Sequence, residues 1–156
     1  MEKVCKIHIV DKNQVDKMDF KSKNFKYDTI KMDELIEKVF EKNPSIHQEE
    51  SDDPAYYLRW VGDDPRGQIK ADFSKDFPSL SADFDFPNNT FFPEEKFFSS
   101  VLRISSPGIR VWTHYDVMDN VYVQIIGTKV NFSSTYITKR FQIEAKIVLI
   151  TKSAKI

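Results

Sequence analysis

The sequence predicts a mainly β domain with flanking helices, and three observations carry that expectation. From residue 96 onward three runs have strand composition, KFFSSVLRISS, IRVWTHYD and NVYVQIIGTK. Pro107-Gly108 and Val117-Met118-Asp119 separate them and interrupt extended pairing. The 13 Phe and 6 Tyr suit a sheet-rich core, because large flat side chains pack well on pleated surfaces.

Earlier elements follow in order. VCKIHIV (4–10) is short, β-branched and bounded by polar residues, so a strand is expected. MDELIEKVFEKNP (32–44) reads as a helix: Asp33 is placed as N-cap, Leu35, Ile36, Val39 and Phe40 form one stripe, and Pro44 stops it. NPSIHQEESDDP (43–54) is a polar loop. AYYLRWVG (55–62) is a strand closed by a Gly62-Asp63-Asp64-Pro65 turn. Residues 72–95 carry Pro78, Pro87 and Pro93 and read as irregular or short helical wrapping held by Phe side chains. The coarse picture is a helix-decorated antiparallel β domain without an internal linker.

A length of 156 residues suits one domain, and 40% apolar with 30% charged residues is a globular balance. The net charge of -1 supplies no global basic field for nucleic acid. Charge is uneven, however. Residues 130–156 hold Lys139, Arg140, Lys146, Lys152 and Lys155 against Glu144, which leaves 18 basic and 23 acidic residues before them. The opening MEKVCKIHIVDKNQVDK has no long apolar stretch, so neither a signal peptide nor a membrane span is expected. With a lone Cys5, a reducing cytoplasmic or nuclear setting is expected, and secretion is not.

The chemistry concentrates in VWTHYDVMDN (111–120). On a strand, His114 and Asp116 would point to one face, so both could reach one metal ion while Tyr115 faces away. Such matches are cheap: about 0.4 are expected from composition alone. His47-Gln48-Glu49 has the same form but lies in a polar loop that would not aim the two side chains. His8, within an apolar strand, reads as a buried, hydrogen-bonded histidine. Asn120 could hydrogen-bond a carboxylate, and Lys129, after Gly127, could pair with a dicarboxylate. Lys129 could equally be a solvated strand terminus, and Tyr57 and Trp112 could be core aromatics.

SSPGIRVWTHYDVMDNVYVQIIGTK resembles the iron-binding strand pair of JmjC-type oxygenases, which use Fe(II) and 2-oxoglutarate. With FFSSVLRISSPG and AYYLRWVGDDPR, the likeness is to the tRNA-modifying branch that hydroxylates a wybutosine-type base of tRNA(Phe). It runs with gaps from about Lys31 to Lys129. The resemblance implies an incomplete double-stranded β-helix of cupin/JmjC jelly-roll type. It also implies His114 and Asp116 as Fe(II) ligands, and Lys129, Asn120 and Tyr57 as 2-oxoglutarate-binding residues. The implied reaction couples decarboxylation of 2-oxoglutarate to hydroxylation of a substrate C–H bond.

The family pattern needs a third ligand, a later histidine, and none follows His114. Past Lys129 the family pattern breaks off, where the charge shift also falls. The expectation is a single, truncated JmjC/cupin-like domain over 1–156. Within it, 1–95 wraps, 96–129 forms the iron-binding strand pair and 130–156 is a divergent basic tail. For lack of the third ligand this chain is expected to be impaired. The alternatives are a non-catalytic remnant or splice product with a binding role, or a protein-hydroxylating relative. A tRNA(Phe) partner is implied by the resemblance and not by net charge, and homodimers occur among relatives.

Overall fold

The computed structural model describes residues 3–40, 53–64, 68–83, 93–112 and 119–129, together with the backbone of 145–154. Six strands form one antiparallel sheet: β1 (Val4–Val10), β2 (Lys26–Lys31), β3 (Ala55–Trp60), β4 (Phe97–Ser105), β5 (Asp119–Thr128) and β6 (Ala145–Ala154). Their order is β2-β1-β3-β4-β6-β5. Three short helices accompany them: α1 (Met32–Phe40), α2 (Phe73–Asp76) and α3 (Pro78–Ser81). The mainly β, antiparallel architecture with flanking helices is the one expected. Among the described residues, no helix is long and apolar enough to cross a membrane.

One face of the sheet makes the main core. Cys5 and Ile7 of β1, Leu58 and Trp60 of β3, and Leu102 and Ile104 of β4 alternate onto it, as a period of two requires. Leu35 and Val39 of α1 cover them, joined by Phe73 and Phe77 from the 72–83 segment. That segment is short helical wrapping held by phenylalanines, as its composition suggests. Asp72 caps α2 by accepting from Ser74 N at 3.1 Å, and Pro78 opens α3, where its missing N–H costs nothing. A polar clamp closes the edge of this core. Lys3 Nζ donates to the Asp76 carbonyl at 2.8 Å and lies 4.4 Å above the Trp60 ring, while Trp60 Nε1 donates to Asp76 Oδ2 at 3.0 Å. Burial also pushes the Cys5 thiol up to about 11, so it stays protonated and inert.

Two local expectations change, one falls outside the described residues and one strand was not foreseen. The helix begins at Met32, so Asp33 sits inside its first turn, where its carboxylate accepts from Glu34 N at 2.9 Å and favours the helix dipole. Residues 41–52, including Pro44 and the His47-Glu49 pair, lie outside the described residues. The strand expected from Ile109 is not one over 109–112. Arg110 N donates to Val15 O, Met18 N to Arg110 O and Trp112 N to Met18 O, leaving one isolated parallel bridge between Met18 and Val111. Strand β2 lacks the apolar alternation that would announce it. It is a largely exposed edge that places Ile30 against the main core and Tyr27 beside His8, and its ladder to β1 holds it.

The basic tail contributes strand β6, which lies inside the sheet between β4 and β5. It pairs with β4 from Phe97↔Ala154 to Ser105↔Ile147 and with β5 from Asp119↔Ala154 to Thr128↔Ala145. The ladder hydrogen bonds of β4 and β5 on their facing sides therefore depend on it.

Candidate functional site

Residues directly opposite each other in an antiparallel ladder share a face. The register therefore collects a second face, opposite the main core. Tyr57 and Arg59 of β3 stand on it, opposite Ser105 and Arg103 of β4. Across β6, Val101 and Arg103 share rows with Tyr122 and Gln124, and Asn120 follows two positions from Tyr122. Two of the three residues expected to bind co-substrate, Tyr57 and Asn120, are thus on the same side of the sheet.

Lys129 joins them by a local irregularity. Seven residues of straight strand separate Tyr122 from Lys129 by about 23 Å. The two side chains together reach roughly 10 Å, yet Lys129 Nζ lies 4.1 Å from the centroid of the Tyr122 ring. The strand end must therefore curl back. Register shifts fall between Gln124 and Ile126 and between Ile126 and Thr128, and Gly127 takes φ 98°, a conformation costly for any residue with a Cβ. These irregularities turn a terminal lysine into a half-buried cation over an aromatic face, and it is not the solvated terminus that its position alone allowed.

Arg103 was not singled out from the sequence, where it is one basic residue in an apolar run. Its Cζ lies 6.0 Å from the same Tyr122 centroid, so Arg103 and Lys129 flank one ring. Arg103 Nε is buried without a hydrogen-bond partner, and so is Oγ1 of Thr128, the residue before Lys129. No sequence signal marks these two donors, because their isolation depends on register and on the curl of β5.

Tyr57 lies three strands from β5 in the sheet order, and its surroundings are aromatic. It is buried with Val10 and Met18 in a second, smaller cluster. His8 stands opposite it on β1, and His8 Nδ1–H donates to the Tyr57 carbonyl over 3.1 Å. Phe20, Phe25, Tyr27 and Tyr57 surround the imidazole at centroid distances of 4.7 to 5.6 Å. Burial pushes the His8 pKa below its usual value, the Tyr57 carbonyl opposes that, and Arg59 and Lys6 reinforce it. Phe20 also contacts Trp112 at 5.0 Å, so the aromatic box extends to the residue two before His114. The core-packing role foreseen for Tyr57 holds, and Trp112 is an exposed partner at the box's rim.

His114 and Asp116 lie outside the described residues. As a donor set, an imidazole nitrogen and a carboxylate oxygen suit Fe(II). Among the described residues no three His, Cys, Asp or Glu side chains converge as a metal site. For 2-oxoglutarate the fit is positive, because Lys129, Arg103 Nε and the Thr128 hydroxyl are all donors and a carboxylate only accepts.

A family model described as a cupin-like domain matches residues 3–132. The chain is 50% identical to tRNA wybutosine-synthesizing protein 5 of Homo sapiens over 130 residues, 82% of this chain and 38% of that protein. It is 46% identical to the Danio rerio protein of that name over 129 residues, 82% of this chain and 37% of the relative. It is 38% identical to tRNA wybutosine-synthesizing protein 4 of Neurospora crassa over 121 residues, 78% of this chain and 9% of that one. The chain thus spans well under half the length of the relatives it matches. The family match includes β1 to β5 and ends before β6.

Proposed function

The chain belongs to the cupin-like domain family, and on that premise we propose that it is a 2-oxoglutarate- and Fe(II)-dependent hydroxylase of tRNA. Its substrate in this reading is the wybutosine-type base of tRNA(Phe). Relatives named for wybutosine synthesis, 50% identical over most of this chain, support that choice. The single observation that carries the co-substrate assignment is Lys129, drawn back over Tyr122 into a half-buried position where an ammonium can meet a carboxylate.

When bound, Fe(II) held by His114 and Asp116 would, with 2-oxoglutarate and O₂, supply C–H hydroxylation, one oxygen atom of O₂ entering succinate as CO₂ is lost and the other entering the substrate as OH. The protein's own part is placement. Lys129 holds the distal carboxylate, and Asn120 offers an amide donor two residues from Tyr122 on the same face. Tyr57 and the aromatic box keep water from the inner end of that face. Residues 96–129 carry this site, 1–95 extend and cover its sheet, and 130–156 contribute the strand between β4 and β5.

The other reading that the test separates is a polypeptide that binds 2-oxoglutarate without turning it over. The two are separated by incubating the purified chain with Fe(II), ascorbate and 2-oxoglutarate and measuring succinate. Succinate above the level of a His114→Ala control supports the hydroxylase. Equal levels, with 2-oxoglutarate still bound, support the binding protein.

A further inference from the structure

We propose that Phe20 is a positioning residue for the metal pair: acting through Trp112, it aims the backbone that leads into His114. The inference rests on the metal reading of His114 and Asp116 and gives the N-terminal region a part in that site.

The approach to the pair is tied to the turn that follows β1. Arg110 N donates to Val15 O at 2.8 Å, Met18 N to Arg110 O at 3.0 Å and Trp112 N to Met18 O at 3.0 Å. These bonds surround the parallel bridge between Met18 and Val111, and Met18 is fully buried. Chain connectivity then limits His114. Two peptide units span at most about 7 Å, so its Cα stays within that distance of the Trp112 Cα. Beyond the pair the chain is tied again at Asp119, which pairs with Ala154 of β6.

A single bridge fixes where a chain runs more firmly than how it is rotated about its own axis, and side-chain packing supplies the rotation. The Phe20 ring lies 5.0 Å from the Trp112 ring. On an extended backbone residues two apart share a face, so holding the Trp112 side chain also aims the one two positions on. Trp112 is 36% exposed, so no core encloses it and the Phe20 contact carries more weight.

Phe20 can serve as a fixed point because it is itself held twice over. Its ring packs against His8 of β1 at 5.0 Å, Phe25 at 5.0 Å and Tyr57 of β3 at 6.1 Å. The turn that carries it is locked as well. Asp19 N donates to Asn24 Oδ1 at 2.8 Å, Asn24 Nδ2 to Lys17 O at 2.9 Å and Lys23 N to Asp19 O at 2.9 Å. Sheet, turn and the approach to His114 thus form one continuous path of contacts.

The test measures Mn(II) binding to the full chain, stripped of metal, from the electron spin resonance of free and bound ion, alongside denaturant melts. We expect Phe20→Ala to weaken Mn(II) about tenfold and to broaden the bound-ion spectrum, as loss of a group that orients a ligand does. Phe20→Tyr, which keeps the ring, should bind like the wild type. Leu58→Ala, which destabilises the opposite core, should leave Mn(II) affinity unchanged. Equal losses in Phe20→Ala and Leu58→Ala would make Phe20 merely structural and overturn the proposal. Wild-type affinity in Phe20→Ala, with binding lost in His114→Ala, overturns it too while the metal reading stands. If the wild type binds Mn(II) no better than His114→Ala, the metal reading fails and the proposal with it. Should Phe20→Ala not fold, Trp112→Leu decides: it removes the ring that Phe20 holds, and wild-type affinity there overturns the proposal.

Discussion

The two faces of this sheet are built from alternate residues of the same strands, yet they obey different rules. On one, Leu58, Trp60, Leu102 and Ile104 meet α1 and two phenylalanines, and almost everything there is apolar and sealed. On the other, the same strands present Tyr57, Arg59, Arg103, Tyr122 and Gln124, with two buried donors left unpaired. A face built for stability leaves no polar group unsatisfied. The difference teaches that the larger apolar core sits on the helix-covered side, while the proposed ligand site lies on the side facing away from it.

Substitutions separate the two. Leu58 is fully buried under α1, so Leu58→Ala removes transfer energy and leaves a cavity, a loss of about 3 kcal/mol. Denaturant melts should show it, while 2-oxoglutarate affinity measured well below the midpoint stays unchanged. Loss of affinity in step with stability would break the division between faces. Ser100 tests the same side more gently. Its Oγ accepts from the buried Phe73 N at 2.7 Å, so Ser100→Ala should cost about 1 kcal/mol, again visible only in the melt.

His8 gives the smallest effect, and its sign is diagnostic. Its folded pKa is depressed from 6.5, so below that value the unfolded chain binds the proton more readily. Its contribution is fully present above pH 6.5 and is lost as pH falls from there through the folded pKa. Melts of the wild type should therefore weaken across that window more than those of His8→Phe. Equal slopes would mean that the aromatic box tolerates an imidazolium.

Legibility in the sequence followed these same lines. Strands β1, β3, β4 and β5 announced themselves because β-branched and aromatic runs with breaks on either side are local signals. Strand β2, KYDTIK, is a largely exposed edge with one apolar residue per face, Ile30 and Tyr27, too few to make a burial pattern. IRVW has strand composition, but near Val111 its backbone partner is a single residue, Met18, and composition does not count partners. The insertion of β6 between β4 and β5 is a non-local pairing that no window of sequence contains. For the site, Lys129, Asn120 and Tyr57 were singled out from the sequence, and the sheet register then puts the last two on one face. Arg103 was missed because a cross-sheet register, rather than a motif, brings it to the Tyr122 ring that Lys129 also meets.

The central claim is that the His114-Asp116 pair and the Lys129 end of β5 serve one ligand, and metal-linked binding tests it most directly. Mn(II), a redox-silent stand-in for Fe(II), is added to the metal-stripped chain and 2-oxoglutarate affinity is measured with and without it. The account predicts that Mn(II) tightens binding by about tenfold or more, equivalent to roughly 1.4 kcal/mol. The gain should vanish in His114→Ala. An affinity that ignores the metal, or a gain that survives loss of His114, would contradict it.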